Sequence, residues 1–97
     1  MKTKTRNRKS TKPTQYHYII QWKGKPTNAM NNFCDDVECM YYDFFQGSGY
    51  FFLDNTFDIH MKCTSREFAN IRRYLNRHLK RKYTVNRYTD TEYYGDD

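Results

Sequence analysis

The sequence lacks the features of a disulfide-stabilised, zinc-binding or membrane-spanning protein. Its three cysteines are an odd number and form no C-x-x-C pair, which fits neither a closed disulfide framework nor the usual zinc spacings. No run of about 18 apolar residues is present, so we expect no membrane-spanning helix and no membrane partner. We therefore expect Cys34, Cys39 and Cys63 to be reduced thiols, and we expect the protein to hold no metal and no cofactor.

Recognisable catalytic motifs are also missing. The sequence has no paired histidines at metal-ligand spacing, no glycine-rich phosphate loop after a strand and no nucleophile elbow. One weak hypothesis pairs His17 with His60 on neighbouring strands, with Lys62 nearby, as a general acid and base for RNA cleavage. Scattered histidines are more often surface or partly packed residues, so we predict that the protein is not an enzyme.

Positive charge is absent from the middle of the chain. Residues 26–61 carry six acidic residues and no Lys or Arg, whereas residues 1–25 carry eight basic residues and no acid. Residues 62–88 hold nine basic residues against one acid, and residues 89–97 hold four acids. The net charge of +6 is therefore segregated by segment, which indicates an electrostatic function within the fold or towards a partner.

A chain of 97 residues is long enough for one compact domain with tails. Residues 1–13 are polar and basic apart from the first Met, which predicts a disordered basic arm. Residues 14–88 are expected to form a single α+β domain, and residues 89–97 an acidic C-terminal tail. An export signal needs an apolar stretch of about 7–15 residues after its basic start, and none follows here, so we predict a cytosolic protein.

Hydrophobic periodicity predicts a strand followed by a helix in the first half of the domain. Residues 14–23 are rich in β-branched and aromatic residues, and either side of this strand could face the core. Residues 31–46 are ambiguous, but one helical stripe with an Asn cap, acids in the first turn and Gly47 past the end favours a helix. The stripe consists of Phe33, Val37, Met40 and Phe44, with Tyr41 on its edge.

The second half predicts a hairpin, a helix and a last strand. Residues 49–63 alternate around a turn near Asp54, and Thr64 with Glu67 matches a capping box at the start of a helix. Residues 83–88 can add a short strand. The inner stripe of this helix is expected to contain Phe68, Ile71, Leu75, His78 and Leu79.

The predicted order of strand, helix, strand, strand, helix, strand is the βαββαβ order of the ferredoxin-like fold. Both helices would then cover one face of a small antiparallel sheet. If residues 36–45 form a strand instead, the alternative is a meander sheet capped by one C-terminal basic helix.

The basic second helix is the strongest functional signal. Five charges lie on its far side within an arc of about 100°, and Arg73 and Arg77 repel each other at i and i+4 spacing. A solvated face has no reason to keep that repulsion, so we expect binding to nucleic acid or a nucleoprotein complex. The expected binding residues are Arg66, Arg73, Arg77, Lys80 and Arg81, helped by the arm residues Lys2, Lys4, Arg6, Arg8, Lys9 and Lys12.

Three other interpretations remain open at this point. The basic face is simply solvated, or it pairs with the acidic first helix or the acidic tail. Tyr16, Tyr18 and Trp22 either stack unpaired bases on an open sheet or form the core, and we favour the core.

A protein of a different class would also fit the chain. Small proteins of bacteriophages and mobile elements that inhibit host defence nucleases, including CRISPR effectors, often have this size and composition. Such an inhibitor would act by protein contacts in the host cytosol, and the chain could be a monomer or, by edge-to-edge strand pairing, a homodimer.

Overall fold

The computed structural model describes residues 13–95, and within this range the chain forms four strands and three helices. The six basic arm residues named above lie outside the described residues. No helix within the described range is long and apolar enough to cross a membrane. The elements are β1 Gln15–Lys23, α1 Asn28–Met40, β2 Phe45–Phe51, β3 Thr56–Thr64, α2 Ser65–His78, β4 Thr84–Tyr88 and α3 Asp90–Tyr94.

The strands of residues 13–95 form one open antiparallel sheet in the order β2-β3-β1-β4. The α+β class is confirmed, and the first six elements follow the predicted chain order. Residues 36–40 belong to helix α1, and residue 45 begins β2. The meander alternative, which needs a strand over residues 36–45, therefore does not apply. The short helix α3 has no place in the simple βαββαβ pattern, and the fold is therefore not a strict copy of it.

The core lies between one face of the sheet and the helices α1 and α2. Tyr18, Ile20 and Trp22 of β1 pair with Met61, Ile59 and Phe57 of β3, and all six side chains are at most 5% exposed. The rings of Tyr18 and Phe68 on α2 stack with centroids 4.0 Å apart, and Trp22 stacks on Phe57. Tyr18 and Trp22 are thus core residues, and each fully buried side chain of this kind contributes about 1.5–3 kcal/mol to stability.

Helix α1 is shifted along the chain relative to the prediction. Its N-cap is Thr27, whose hydroxyl accepts a hydrogen bond from the backbone N–H of Met30 at 3.1 Å. The predicted Asn cap, the first-turn acids and the stop at Gly47 are therefore wrong. The helix ends at Met40, because residues 41–44 turn the chain into β2. Its buried residues are Met30, Cys34 and Val37.

The predicted stripe of α1 is fully buried only at Val37. Phe33, Tyr41 and Phe44 are partly buried and pack against the core, whereas Met40 is 58% exposed. A stripe through Met30, Cys34 and Val37 has the same i, i+4, i+7 spacing as the predicted one. Sequence periodicity could not distinguish these two stripes, because polar Asn and Asp residues lie between the apolar positions of both.

Helix α2 begins as predicted and ends earlier. The hydroxyl of Thr64 accepts from the N–H of Glu67 at 3.1 Å, and the Glu67 carboxylate accepts from the N–H of Thr64 at 2.9 Å, which completes the capping box. Leu79 is the C-cap and is 4% exposed, so the chain leaves the helix there while keeping this side chain in the core. His78 is exposed and packs beside Tyr74, which corrects its predicted place in the inner stripe.

Candidate nucleic-acid interface

The outward face of α2 carries three exposed arginines, Arg66, Arg73 and Arg77. They lie opposite the buried stripe of Phe68, Ile71 and Leu75, which fixes the direction in which they point. The Arg73 guanidinium donates to the side-chain oxygen of Asn70 on the same face. Glu67, the single acid of α2, is engaged in the capping box, so this face holds positive charge alone.

Lys80 and Arg81 do not belong to the helix face as predicted, because α2 ends at His78. They lie in the connection between α2 and β4. Arg81 donates from Nη1 to the backbone carbonyl of Lys23 at 3.0 Å, at the end of β1. Its guanidinium lies against Gly24, where any Cβ would collide with it. The charge of Arg81 is therefore held at the end of the sheet.

A basic groove runs between α2 and the edge strand β4. Its α2 side is formed by Arg72, Arg73 and Asn76, and its volume is about 510 Å³. Arg87 on β4 lines the other side, and its Cζ lies 4.4 Å from the centroid of the Tyr16 ring. We use the name basic groove for this cleft, whose floor and sides also include Tyr18, Ser65, Phe68, Ala69 and Val85.

The basic groove continues into a wider cleft at the end of the sheet. Arg72 and Asn76 line both, and the wider cleft has a volume of about 1010 Å³. The Tyr83 hydroxyl donates to the side-chain oxygen of Asn76 at 2.6 Å and fixes the connection to β4. The lining of this cleft also includes Lys23, Arg81, Lys82 and Tyr83, together with one acid, Asp54.

The arginines Arg72 and Arg87 were missed by the sequence prediction. The far-side arc of the helical wheel left Arg72 out because it lies on the flank, where its Cζ sits 5.5 Å from the Phe68 ring centroid. Arg87 was assigned only to a short strand. Placing the two together requires knowing that β4 borders the groove beside α2, which no local pattern indicates.

The arginines of α2 form no ion pair within residues 13–95. Within the described range Lys62 pairs with Asp90, and the imidazoles of His17 and His60 contact the carboxylates of Asp90 and Asp58. The acids of α1 lie on the other side of α2, where burial, followed by the charge of Asp36, raises the pKa of Tyr74. The surface is therefore most positive on the side of α2 that faces β4.

The beginning of the predicted acidic tail folds onto the sheet and not onto α2. His17 is 1% exposed, its Nε2 lies 2.5 Å from Oδ1 of Asp90, and its ring stacks on Tyr93 at 4.0 Å. The Tyr93 hydroxyl lies 2.7 Å from Nδ1 of His60. The hydrogen bond to His17, and then the Lys62 ammonium, lower the pKa of Asp90. These contacts hold α3 on the face opposite α1 and α2.

The histidines of the catalytic hypothesis thus come close together, but His17 is enclosed. The stacked ring of Tyr93 and the carboxylate of Asp90 cover it, so it cannot reach a substrate in this arrangement. Among the described residues no group of three or more His, Cys, Asp or Glu could hold a metal ion.

The described cysteines are all free thiols. Burial, followed by the charges of Asp35 and Asp58, raises the pKa of Cys34 to about 11. Burial, followed by the charge of Glu67, raises the pKa of Cys63 to about 12. Both thiols therefore stay protonated and unreactive near neutral pH, and they pack as small apolar groups in the core.

No protein-family model, no curated protein and no solved structure matches this chain at a significant level. The assignment of function therefore rests on charge and geometry alone.

Proposed function

We propose that this protein binds nucleic acid, either free or within a nucleoprotein complex, through the outward face of α2 and the basic groove, without catalysing a reaction. The proposed binding residues are Arg66, Arg73 and Arg77 on α2, Lys80 and Arg81 in the connection that follows it, and Arg72 and Arg87 in the basic groove. We further propose a cytosolic setting, in which the free thiols would stay reduced.

The observation that carries this proposal is a set of exposed arginines without ion-pair partners among the described residues. Phosphates neutralised by such side chains release condensed counterions, which gives affinity without sequence preference. Arg66, Arg73 and Arg77 point outward, while Arg72 and Arg87 line the adjoining basic groove. Guanidinium groups in this arrangement can contact several successive phosphates.

The charge distribution also supports a direction of approach. The exposed acids of α1, Asp35, Asp36 and Glu38, would repel a phosphate backbone that approached from the α1 side. A strand lying along the α2–β4 side meets arginines throughout. We therefore place the nucleic acid over α2 and β4, away from α1.

We also propose that the arm extends the same surface. Pro13, the last residue of the arm, lines one cavity together with Thr14, Gln15 and Arg66 at the start of α2. The six basic arm residues precede Pro13 in the chain, and we propose that they add phosphate contacts beside the outward face of α2.

A second candidate function is inhibition of a host defence nuclease, of the anti-CRISPR type, by protein contacts. The observation that favours it is the exposed acidic face of α1 beside the basic α2, because a surface of both signs can dock on a nucleoprotein. This candidate predicts tight binding to one protein partner and weak binding to free nucleic acid.

The direct test measures fluorescence anisotropy of labelled single- and double-stranded oligonucleotides over a salt series. Arg73→Ala/Arg77→Ala is compared with Asn31→Asp/Asn32→Asp on α1, which lowers the net charge equally on exposed positions. We expect the α2 variant to bind about tenfold more weakly and to reduce the salt slope by about 1.8 on duplex DNA. The α1 variant should keep the slope of the unmodified protein.

Two results would contradict the proposal. Absence of binding at low salt would remove nucleic acid as the direct ligand and leave the inhibitor candidate. Equal weakening in both variants would show that only net charge matters and that α2 is not the binding face.

A further inference from the structure

The two edges of the sheet differ in a way that the proposed function does not explain. Edge strand β4 carries Arg87, whereas edge strand β2, with the sequence FQGSGYF, has no charged residue. Proteins usually protect an exposed edge with lysine, proline or inward-pointing charge. The centre of β2 is Gly47, Ser48 and Gly49, so no large side chain obstructs the backbone there.

Exposed apolar side chains flank this edge at both ends. Phe51, Phe52 and Leu53 are 60%, 75% and 75% exposed, and at the other end Met40 and Tyr42 are 58% and 73% exposed. These are five of the six large hydrophobic residues that are exposed within the described range. Their concentration on one edge marks an interaction surface.

The sequence of this edge is nearly the same read in either direction. Residues 44–52 are FFQGSGYFF, so that positions at equal distances on either side of Ser48 match except for Gln46 and Tyr50. Antiparallel pairing of two identical strands about a two-fold axis places such positions opposite each other. A surface of this kind is complementary to itself.

Charge is compatible with the same pairing. Pairing about Ser48 would place Asp43 opposite Leu53 and Asp54 opposite Tyr42, so no carboxylate meets another. The register shifts between Phe45 and Gly47, so this irregularity would lie opposite Tyr50 and Phe51 of the second copy. From Gly47 to Phe51 every residue pairs regularly with β3, so the regular pairing about Ser48 covers Gly47, Ser48 and Gly49 of both copies.

We propose that a second copy of this chain docks on β2, with the two β2 strands antiparallel about Ser48, so that the two sheets become one. The exposed aromatic side chains here are Tyr42, Phe51 and Phe52, each with an area of about 150–250 Å² and 60–75% exposed. Burying their exposed parts in the dimer would remove roughly 600–1,000 Å² from water over two copies. Leu53, Met40 and the strand backbone add to this, which reaches the lower range of specific interfaces, about 1,200 Å².

The test is sedimentation of the full chain between about 1 and 200 µM. Ser48→Arg would place two arginines opposite each other at the centre of the dimer, whereas Asn86→Arg makes the same kind of change on β4. We expect Ser48→Arg to raise the dimer dissociation constant at least about tenfold and Asn86→Arg to leave it unchanged. Phe52→Asp/Leu53→Asp, in a turn where both residues are exposed, should also weaken the dimer without affecting the fold.

Circular dichroism and thermal unfolding of each variant establish that the domain is intact. A monomer at every concentration would overturn the proposal. A dimer that persists equally in Ser48→Arg and in Phe52→Asp/Leu53→Asp would also overturn it, because the contact would then lie elsewhere.

Discussion

Helices α1 and α2 cover the same face of one sheet, yet their exposed surfaces carry opposite charge. Helix α1 buries Met30, Cys34 and Val37, and α2 buries Phe68, Ile71 and Leu75. Outside these stripes α1 exposes three acids and α2 exposes arginines. Packing on the sheet requires only the buried stripes, so the difference in exposed charge is free to serve binding. Three predictions compare the two helices in packing, capping and charge, from the largest effect to the smallest.

The buried stripes should dominate stability. Leu75 on α2 is fully buried, so Leu75→Ala should lower the free energy of unfolding by about 2–5 kcal/mol. Met40 on α1 is 58% exposed, and Met40→Ala should change the free energy of unfolding by less than about 0.5 kcal/mol. Urea unfolding at constant pH measures both. A large loss in the Met40 variant would mean that α1 packs through its sequence-predicted stripe after all.

The N-caps of the two helices should contribute different amounts to the free energy of unfolding, and this difference should be smaller than that between the buried and exposed positions. Thr64 on α2 is part of a reciprocal capping box, whereas the Thr27 side chain on α1 accepts one hydrogen bond. Thr64→Ala should therefore cost about 1–2 kcal/mol and Thr27→Ala about 0.5–1 kcal/mol. Denaturant midpoints of the two variants give the comparison. Equal losses would show that the Thr64 hydroxyl contributes no more within the capping box than the Thr27 hydroxyl does alone.

Removing one acidic charge from α1 should have the smallest effect of the three. The effect is on nucleic-acid binding, so this prediction rests on the proposed function. Asp36 lies close enough to α2 to raise the pKa of Tyr74, so Asp36→Asn should strengthen oligonucleotide binding by about twofold at low salt. Asp43→Asn makes the same change in net charge in the turn before β2 and serves as the control. If both variants bind alike, the position of the acid relative to α2 has no influence.

Local signals predicted α2 better than α1, and the reason is physical. A reciprocal capping box between Thr64 and Glu67 needs only residues three apart, so the sequence contains all of its partners. The cap of α1 follows Pro26 and has no matching Glu or Gln three residues later. Two overlapping apolar stripes with the same spacing were therefore possible on α1. Only the packing of α1 against the sheet determined which side of the helix is buried.

The residues of the candidate interface also fall into two groups, those that the local sequence predicts and those that only the fold brings together. Arg66, Arg73 and Arg77 could be placed together from helical periodicity alone, because residues on one helix face are fixed by their spacing. The contribution of Arg87, and the attachment of Arg81 to Lys23, depend on which strand lies beside α2 and on where the helix ends. Those are properties of strands and loops distant in the sequence.

The sequence by itself determined the α+β class, the order of the first six elements and the segregation of charge, because each follows from local patterns. The tertiary structure decided that the Tyr18 side of β1 is the core, that Asp90 docks at His17, and that β2 is an uncharged edge. Each of these depends on contacts between residues far apart in the chain. Local periodicity limits such contacts, but only the packing of the whole domain selects among them.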